Sequence, residues 1–153
     1  NGMSKSHAIP GWRLGYVAGP AKEMKALNNV QSQSSGNVCS IVQSSAAVSL
    51  NHADDFIRGA VAEFRRRRDF LVAELNKIPG VNCNLPDGAF YLFPKIPIAD
   101  DWEFANMLLE EKLVAVVPGT EFGISGHVRI SYATSMENIR KGAQRIQEFC
   151  ENL

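Results

Sequence analysis

The chain has 153 residues, 45% hydrophobic and 21% charged, which is the make-up of an ordinary folded domain able to bury a core and excludes a disordered segment. Sixteen basic side chains balance sixteen acidic ones, so no net field draws the molecule to nucleic acid or to an anionic membrane, and any anion site is local. The three cysteines, Cys39, Cys83 and Cys150, are widely spaced with no C-x-x-C pair; this argues against a disulfide framework and against zinc, and fits a reducing cytoplasm. No apolar run approaches the roughly 18 residues of a membrane span, and the first residues lack the basic and apolar regions of a secretion signal.

In chain order, residues 12–18 read as a short strand ended by Gly19-Pro20, with Pro20 suited to the first turn of a helix. Met24, Leu27 and Val30 then recur at helical spacing until the polar run 31–37, expected as a loop. A second helix is expected over 38–50 and a long third one over 54–77. In the third, Ile57, Val61, Phe64, Leu71, Leu75 and Ile78 form an apolar stripe interrupted at Arg68, and Pro79-Gly80 ends it.

From there the character changes to a smaller α+β unit. Residues 81–85 and 89–93 read as two strands around Pro86-Asp87-Gly88. Asp100 with Glu103 forms a capping box for a helix carrying Trp102, Ala105, Leu108 and Leu109, and a strand over 114–117 stops at Pro118-Gly119. Residues 127–132 alternate, with Val128, Ile130 and Tyr132 on one face and Arg129 on the other. The last helix is expected to start at Thr134, capped with Glu137, and to bury Met136, Ile139, Ala143, Ile146 and Phe149.

Two cations near the start carry the strongest chemical signal. Lys5 is followed eight residues on by Arg13, in Ser4-Lys5-Ser6-His7-Ala8-Ile9-Pro10-Gly11-Trp12-Arg13. An amine that bonds an aldehyde cofactor needs close by a planar cation that grips a dianionic phosphate through two parallel hydrogen bonds. By contrast, the run Arg65-Arg66-Arg67-Arg68 sits on the long helix beside Glu63, Asp69 and Glu74, and reads as a solvated, partly paired face instead of a nucleic-acid site. His7, His52 and His127 share no metal-ligand spacing, so no metal is expected.

The string N-G-x-S-K-S-H-A-x-x-G-W-R-x-G-Y resembles the class I/II aminotransferases, pyridoxal phosphate enzymes of fold-type I and of the aspartate aminotransferase kind. The resemblance continues in QSQSSGNVCS at 31–40, P-D-G-A-F-Y at 86–91, V-V-P-G-T-x-F-G at 116–123 and H-V-R-I-S-Y-A-T-S at 127–135. It implies an α/β fold: residues 1–50 would close the large cofactor-binding domain, 51–78 would form a long linking helix, and 79–153 a small α+β C-terminal domain. Residue by residue it implies that Lys5 is the Schiff-base lysine, with Ser4 beside it, that Arg13 holds the cofactor phosphate, and that Arg129 takes the substrate's α-carboxylate. It further implies pyridoxal 5'-phosphate as cofactor, an L-amino acid and a 2-oxo acid as substrates, a homodimer, and no nucleic-acid or membrane partner.

Members of the family are much longer than this chain, and their upstream part supplies an acidic partner for the pyridinium nitrogen and an aromatic ring stacked on the cofactor. The chain is therefore expected to be a fragment, a poor catalyst by itself, with apolar faces left exposed. Two alternatives stand beside transamination. One is another enzyme of the same fold, a β-lyase or an aminocyclopropane carboxylate synthase-like protein; the other is a non-catalytic truncated interaction module.

Overall fold

Helices dominate the first of two units, Asn1–Val61, in a computed structural model that describes residues 1–153; the second unit is Ala62–Leu153. Helix α1 (Met3–Ser6) is a single turn, followed by a 3-10 turn at Pro10–Trp12, α2 (Ala21–Ser34) and α3 (Ser40–His52). Helix α4 (Asp54–Leu75) opens with Asp54 and Asp55, acidic side chains that suit the positive end of the helix dipole. The boundary between the units falls inside α4, after Val61.

The strand expected over 12–18 does not form. Trp12 closes the 3-10 turn, Arg13 takes a left-handed conformation at φ 52°, ψ 47°, and pairing is confined to one antiparallel bridge between Gly2 and Gly15. An extended segment becomes a strand where a neighbour runs beside it, and within this unit only the first three residues do so. Helix α2, in turn, continues into the polar run expected as a loop, taking in residues 31–34 and leaving 35–37 outside the helix. The hydroxyls of Ser32 and Ser34 donate back to the carbonyls of Asn29 (2.9 Å) and Val30 (2.8 Å), so these short polar side chains satisfy themselves on the helix. The chain turns away at Gly36, whose φ of +68° favours a residue without Cβ.

The first unit buries two hydrophobic side chains, Met3 and Ala46, whereas Val17 and Ile41 are about 70% exposed (69% and 72%). The second unit has a continuous core. Leu71, Leu75 and Ile78 from α4 and its C-terminal turn meet Leu92, Val128, Ile130 and Tyr132 from the sheet, and Phe104, Leu108, Ile139, Ile146 and Phe149 from α5 and α6. Helices α5 (Asp101–Lys112) and α6 (Met136–Cys150) lie against each other, with the Phe104 and Phe149 rings edge to face at 5.3 Å.

The sheet is antiparallel with order β1-β3-β2, where β1 is Tyr91–Leu92, β2 Val117–Pro118 and β3 Val128–Ser131. Its register pairs Tyr91 with Ser131 and Val117 with Arg129. The alternation in β3 is as expected: Val128 and Ile130 are buried and Arg129 lies on the other face, half-buried.

Several boundaries differ from expectation. Residues 81–85 and 89–93 do not form a tight hairpin; Asn82 instead pairs with Lys95 through two backbone bonds of 3.1 and 2.8 Å. The intervening loop is tied down by distant side chains. Arg68 Nη1 donates to the Pro86 carbonyl at 2.9 Å and the Tyr132 hydroxyl to that of Ala89 at 2.9 Å. Arg68, the interruption in the apolar stripe of α4, is thus the donor that loop needs.

Helix α5 is capped by Asp100, whose carboxylate accepts from Glu103 N at 2.9 Å, but its buried face holds Asp101, Phe104, Ala105 and Leu108 while Trp102 and Leu109 are exposed. The strand expected over 114–117 shifts to Val117–Pro118 because that is where β3 offers partners. Helix α6 is capped one residue later than expected, by Ser135, which accepts from Asn138 N at 3.2 Å. No helix is long and apolar enough to cross a membrane.

Candidate functional site

The bridge between Gly2 and Gly15 closes a loop that carries Ser4, Lys5 and Arg13. Met3 N donates to Leu14 O at 3.2 Å, Tyr16 N to Asn1 O at 2.8 Å, and Asn1 N to Tyr16 O at 2.8 Å. Gly15 permits this approach, since a Cβ there would lie 3.3 Å from Asn1 O. Met3 is buried beneath α1, which leaves Lys5 exposed and Ser4 half-buried on the same turn. Two non-glycine residues of the loop, Ala8 (φ 54°) and Arg13 (φ 52°), sit in the left-handed region, a conformation that costs an L-residue about 1 kcal/mol and that clusters at binding sites.

Arg13 spends one donor on its own turn, Nη1 to Pro10 O at 3.3 Å, and forms no ion pair. Its remaining N–H groups are available to an anion, and in an exposed loop with no carboxylate partner a phosphate is a suitable one. Arg13 also lines an open cleft of about 1070 Å³ with Leu14 and Tyr16 from the loop, Leu27 and Gln31 from α2 and Ala46 from α3. Lys5 is not part of that lining. Of the polar run, Gln31, Ser34 and Asn37 reach the cleft, although the Ser34 hydroxyl is committed to the α2 backbone.

Arg129 is placed in the second unit, on β3. Its guanidinium carbon lies 4.5 Å from the centre of the Tyr91 ring and 4.7 Å from that of Phe122, so it is covered by two aromatic rings. The guanidinium donates no hydrogen bond to the protein and forms no ion pair. Such a cation, packed against two rings with its N–H groups uncommitted, is suited to a bidentate carboxylate. The enclosing rings extend outward: Phe93 meets Phe122 edge to face at 5.9 Å and stacks on His127 at 5.4 Å and 10°.

Sequence reasoning missed Tyr91 and Phe122 as the holders of Arg129. Tyr91 is one strand away, opposite Ser131 and so two residues along β3 from Arg129, a diagonal neighbour across the β1–β3 pairing, and Phe122 sits in the 3-10 turn Gly119–Phe122. The available signal was the aromatic residue in each of the segments P-D-G-A-F-Y and P-G-T-E-F-G, but nothing local in them says that both rings meet one arginine. The arginine run on α4 is partly paired, as expected, but only in part solvated, since the Arg67 and Arg68 side chains are 21% and 16% exposed. Arg66 and Arg67 donate to Glu63 at 2.8 and 2.7 Å, and these bonds, that from Arg66 foremost, lower the Glu63 carboxyl to about 2. No group of three or more histidine, cysteine, aspartate or glutamate side chains is placed to hold a metal ion.

The family model for aminotransferase class I and II matches residues 1–146. The chain belongs to this family. The aspartate/prephenate aminotransferase of Cereibacter sphaeroides is 45% identical over 165 aligned positions, which take in 100% of this chain and 41% of the relative. Among solved aminotransferase structures, the aspartate aminotransferase of Rhizobium meliloti superposes with a TM-score of 0.93 at 41% identity, covering 99% of this chain and 41% of that one. That of Thermotoga maritima gives 0.92 at 40% identity, covering 99% and 39%. These are fold-type I enzymes, and the helices and small sheet described above are a part of that α/β fold. The chain thus spans about two fifths of the length of the aminotransferases it matches.

Proposed function

We propose that the whole protein is a pyridoxal phosphate-dependent aminotransferase that moves the amino group of an L-amino acid, aspartate foremost, to a 2-oxo acid. The observation that carries this reading is Arg129, a half-buried guanidinium packed against two rings with no anion of its own. The names of the relatives support aspartate as donor. The donor set of the first unit fits the cofactor: Arg13 has uncommitted N–H groups and no carboxylate partner, and Lys5 is exposed on the same closed loop.

When bound, the cofactor supplies an electron sink for the pair left at the substrate Cα. Arg13 binds its phosphate, Ser4 lines the site beside the anchoring lysine, and Lys5 anchors the cofactor through Nζ. Once the substrate's amine had taken its place on the cofactor, the freed Lys5 Nζ would serve as the base that moves the proton at the substrate Cα. Arg129 binds the α-carboxylate through two parallel N–H donors and so orients the Cα–H bond. The Tyr91 and Phe122 rings keep water off the faces of that guanidinium, which strengthens its hold on the carboxylate.

On the same reading, residues 1–50 belong to the large cofactor-binding domain, 51–78 to the linking helix and 79–153 to the small domain. The protein works as a homodimer in the cytoplasm; exposed apolar residues of the first unit such as Ile41 and Val48, and three free thiols, support that setting.

The test is an absorbance titration with pyridoxal phosphate of the parent and of Lys5→Ala, followed by borohydride reduction and peptide mapping. Saturable labelling at Lys5 that is lost in Lys5→Ala is expected. Labelling spread over surface lysines and unchanged in Lys5→Ala would overturn the assignment. Product analysis of the whole protein separates transamination, which yields a new amino acid and a 2-oxo acid, from elimination by a β-lyase.

A further inference from the structure

The turn that carries Phe122 is hydrogen-bonded to a buried carboxylate on a different element. Asp101, in the first turn of α5, is 2% exposed and is the one charged side chain in the buried interior. It accepts from Thr120 N at 3.0 Å and from Thr120 Oγ1 at 2.9 and 3.0 Å, across 19 residues of sequence. Thr120 is the second residue of the 3-10 turn that ends in Phe122. The turn is fixed at its other corners by backbone bonds, Gly119 N to His127 O at 2.8 Å, Ile124 N to Gly119 O at 3.1 Å and Gly123 N to Thr120 O at 3.0 Å.

A carboxylate removed from water must be offset by charge-assisted hydrogen bonds. Here those bonds all converge on Thr120, so the direction of the turn is specified by a strong and short-range interaction. Phe122 itself is about half exposed and meets the Phe93 ring edge to face at 5.9 Å. Its position against the guanidinium is set by the turn together with that contact.

We propose that Asp101 is a positioning residue for substrate binding: through Thr120 it fixes the Gly119–Phe122 turn, so that the Phe122 ring joins that of Tyr91 against the Arg129 guanidinium. This rests on the reading of Arg129 as the carboxylate site. The clamp removes the rotamer freedom of a long side chain before substrate arrives, and that preorganisation appears as carboxylate affinity.

The test uses the whole protein loaded with pyridoxal phosphate, with Thr120→Val, Thr120→Ser and Arg129→Lys, and succinate as a non-reacting dicarboxylate probe. Thr120→Val keeps the shape and removes the hydroxyl donor. It is expected to raise the KM for aspartate and the Kd for succinate about three- to tenfold, the range of a lost cation–π clamp. The saturated kcat and the cofactor affinity should stay within about twofold, as for loss of uniform binding. Thr120→Ser, which retains the donor, is expected to restore both constants.

Parental KM and Kd in Thr120→Val, no restoration by Thr120→Ser, or a parallel loss of cofactor affinity and kcat would each overturn the proposal. Arg129→Lys separates the two levels. A raised KM in Arg129→Lys with parental behaviour in Thr120→Val refutes the positioning role alone, whereas an unchanged KM in Arg129→Lys refutes the carboxylate site and the proposal with it. Should Thr120→Val fail to fold, Phe122→Leu removes the ring while leaving the Asp101 bonds intact, and is judged by the same constants.

Discussion

Gly119→Ala is expected to be among the most damaging single methyl additions in the second unit. An added Cβ would overlap Ile124 O and come within 2.7 Å of His127 O and 2.9 Å of His127 Cβ. Two of these three neighbours are backbone atoms, which cannot swing aside as a side-chain end does. Relief requires lengthening the Gly119 N to His127 O bond (2.8 Å) and the Ile124 N to Gly119 O bond (3.1 Å). Overpacking of this kind costs about 1–3 kcal/mol, and each weakened hydrogen bond about 1 kcal/mol. Against this, alanine restricts the unfolded chain and returns about 0.4–1 kcal/mol, so the net loss is about 3 kcal/mol. Urea unfolding followed by far-ultraviolet circular dichroism measures it. In a thermal scan the same loss lowers Tm by about 6–12 °C, at about 2–4 °C per kcal/mol for a chain of this size. Gly142→Ala in α6, where a Cβ would meet nothing within 4 Å, is the matched control and should gain about 0.5–1 kcal/mol from helix propensity. A Gly119→Ala protein within about 0.5 kcal/mol of the parent would refute the steric reasoning.

Ser135→Ala should cost about 1 kcal/mol by removing the N-cap of α6, and Thr134→Ala clearly less, since the Thr134 hydroxyl accepts only from the Asn138 side chain; denaturant midpoints of the two variants decide the order. Tyr132→Phe removes the bond from a buried hydroxyl to Ala89 O, with an expected loss of about 1 kcal/mol by the same measurement. Burial pushes the Cys83 and Cys150 thiols up from 9.0 to about 11, with the Glu151 charge adding to the rise at Cys150. The folded chain thus keeps protons that the unfolded chain has lost, so stability falls as pH rises from about 9 towards about 11, by up to ~1.4 kcal/mol per unit for each thiol. A denaturation series across that window should show the fall, and a flat profile would refute it. At pH 8 a thiol reagent should modify exposed Cys39 first, half-buried Cys150 more slowly and buried Cys83 only on unfolding.

Periodicity was enough to locate α3, α4, α5 and α6 and the inward face of β3, the spacing of Lys5 and Arg13 marked those two as candidates, and the family resemblance added Arg129. Each of these rests on information local to one segment: the 3.6-residue and 2-residue repeats that fix which side of an element is apolar, and short strings in which the chemistry needs neighbours close in sequence. What the sequence by itself left undetermined is everything that depends on a distant partner. Residues 12–18 have strand composition but no companion strand along their length, so they fold as a turn with Arg13 in the left-handed region. Residues 81–85 pair through Asn82 with Lys95 instead of across the nearest turn, because Arg68 and Tyr132 hold the loop between them. The clamp on Arg129 draws Tyr91 from one strand and Phe122 from a turn that Asp101 anchors from another element. Only tertiary structure decides such arrangements, since hydrogen bonds and ring contacts act within a few ångströms in space and are indifferent to separation along the chain.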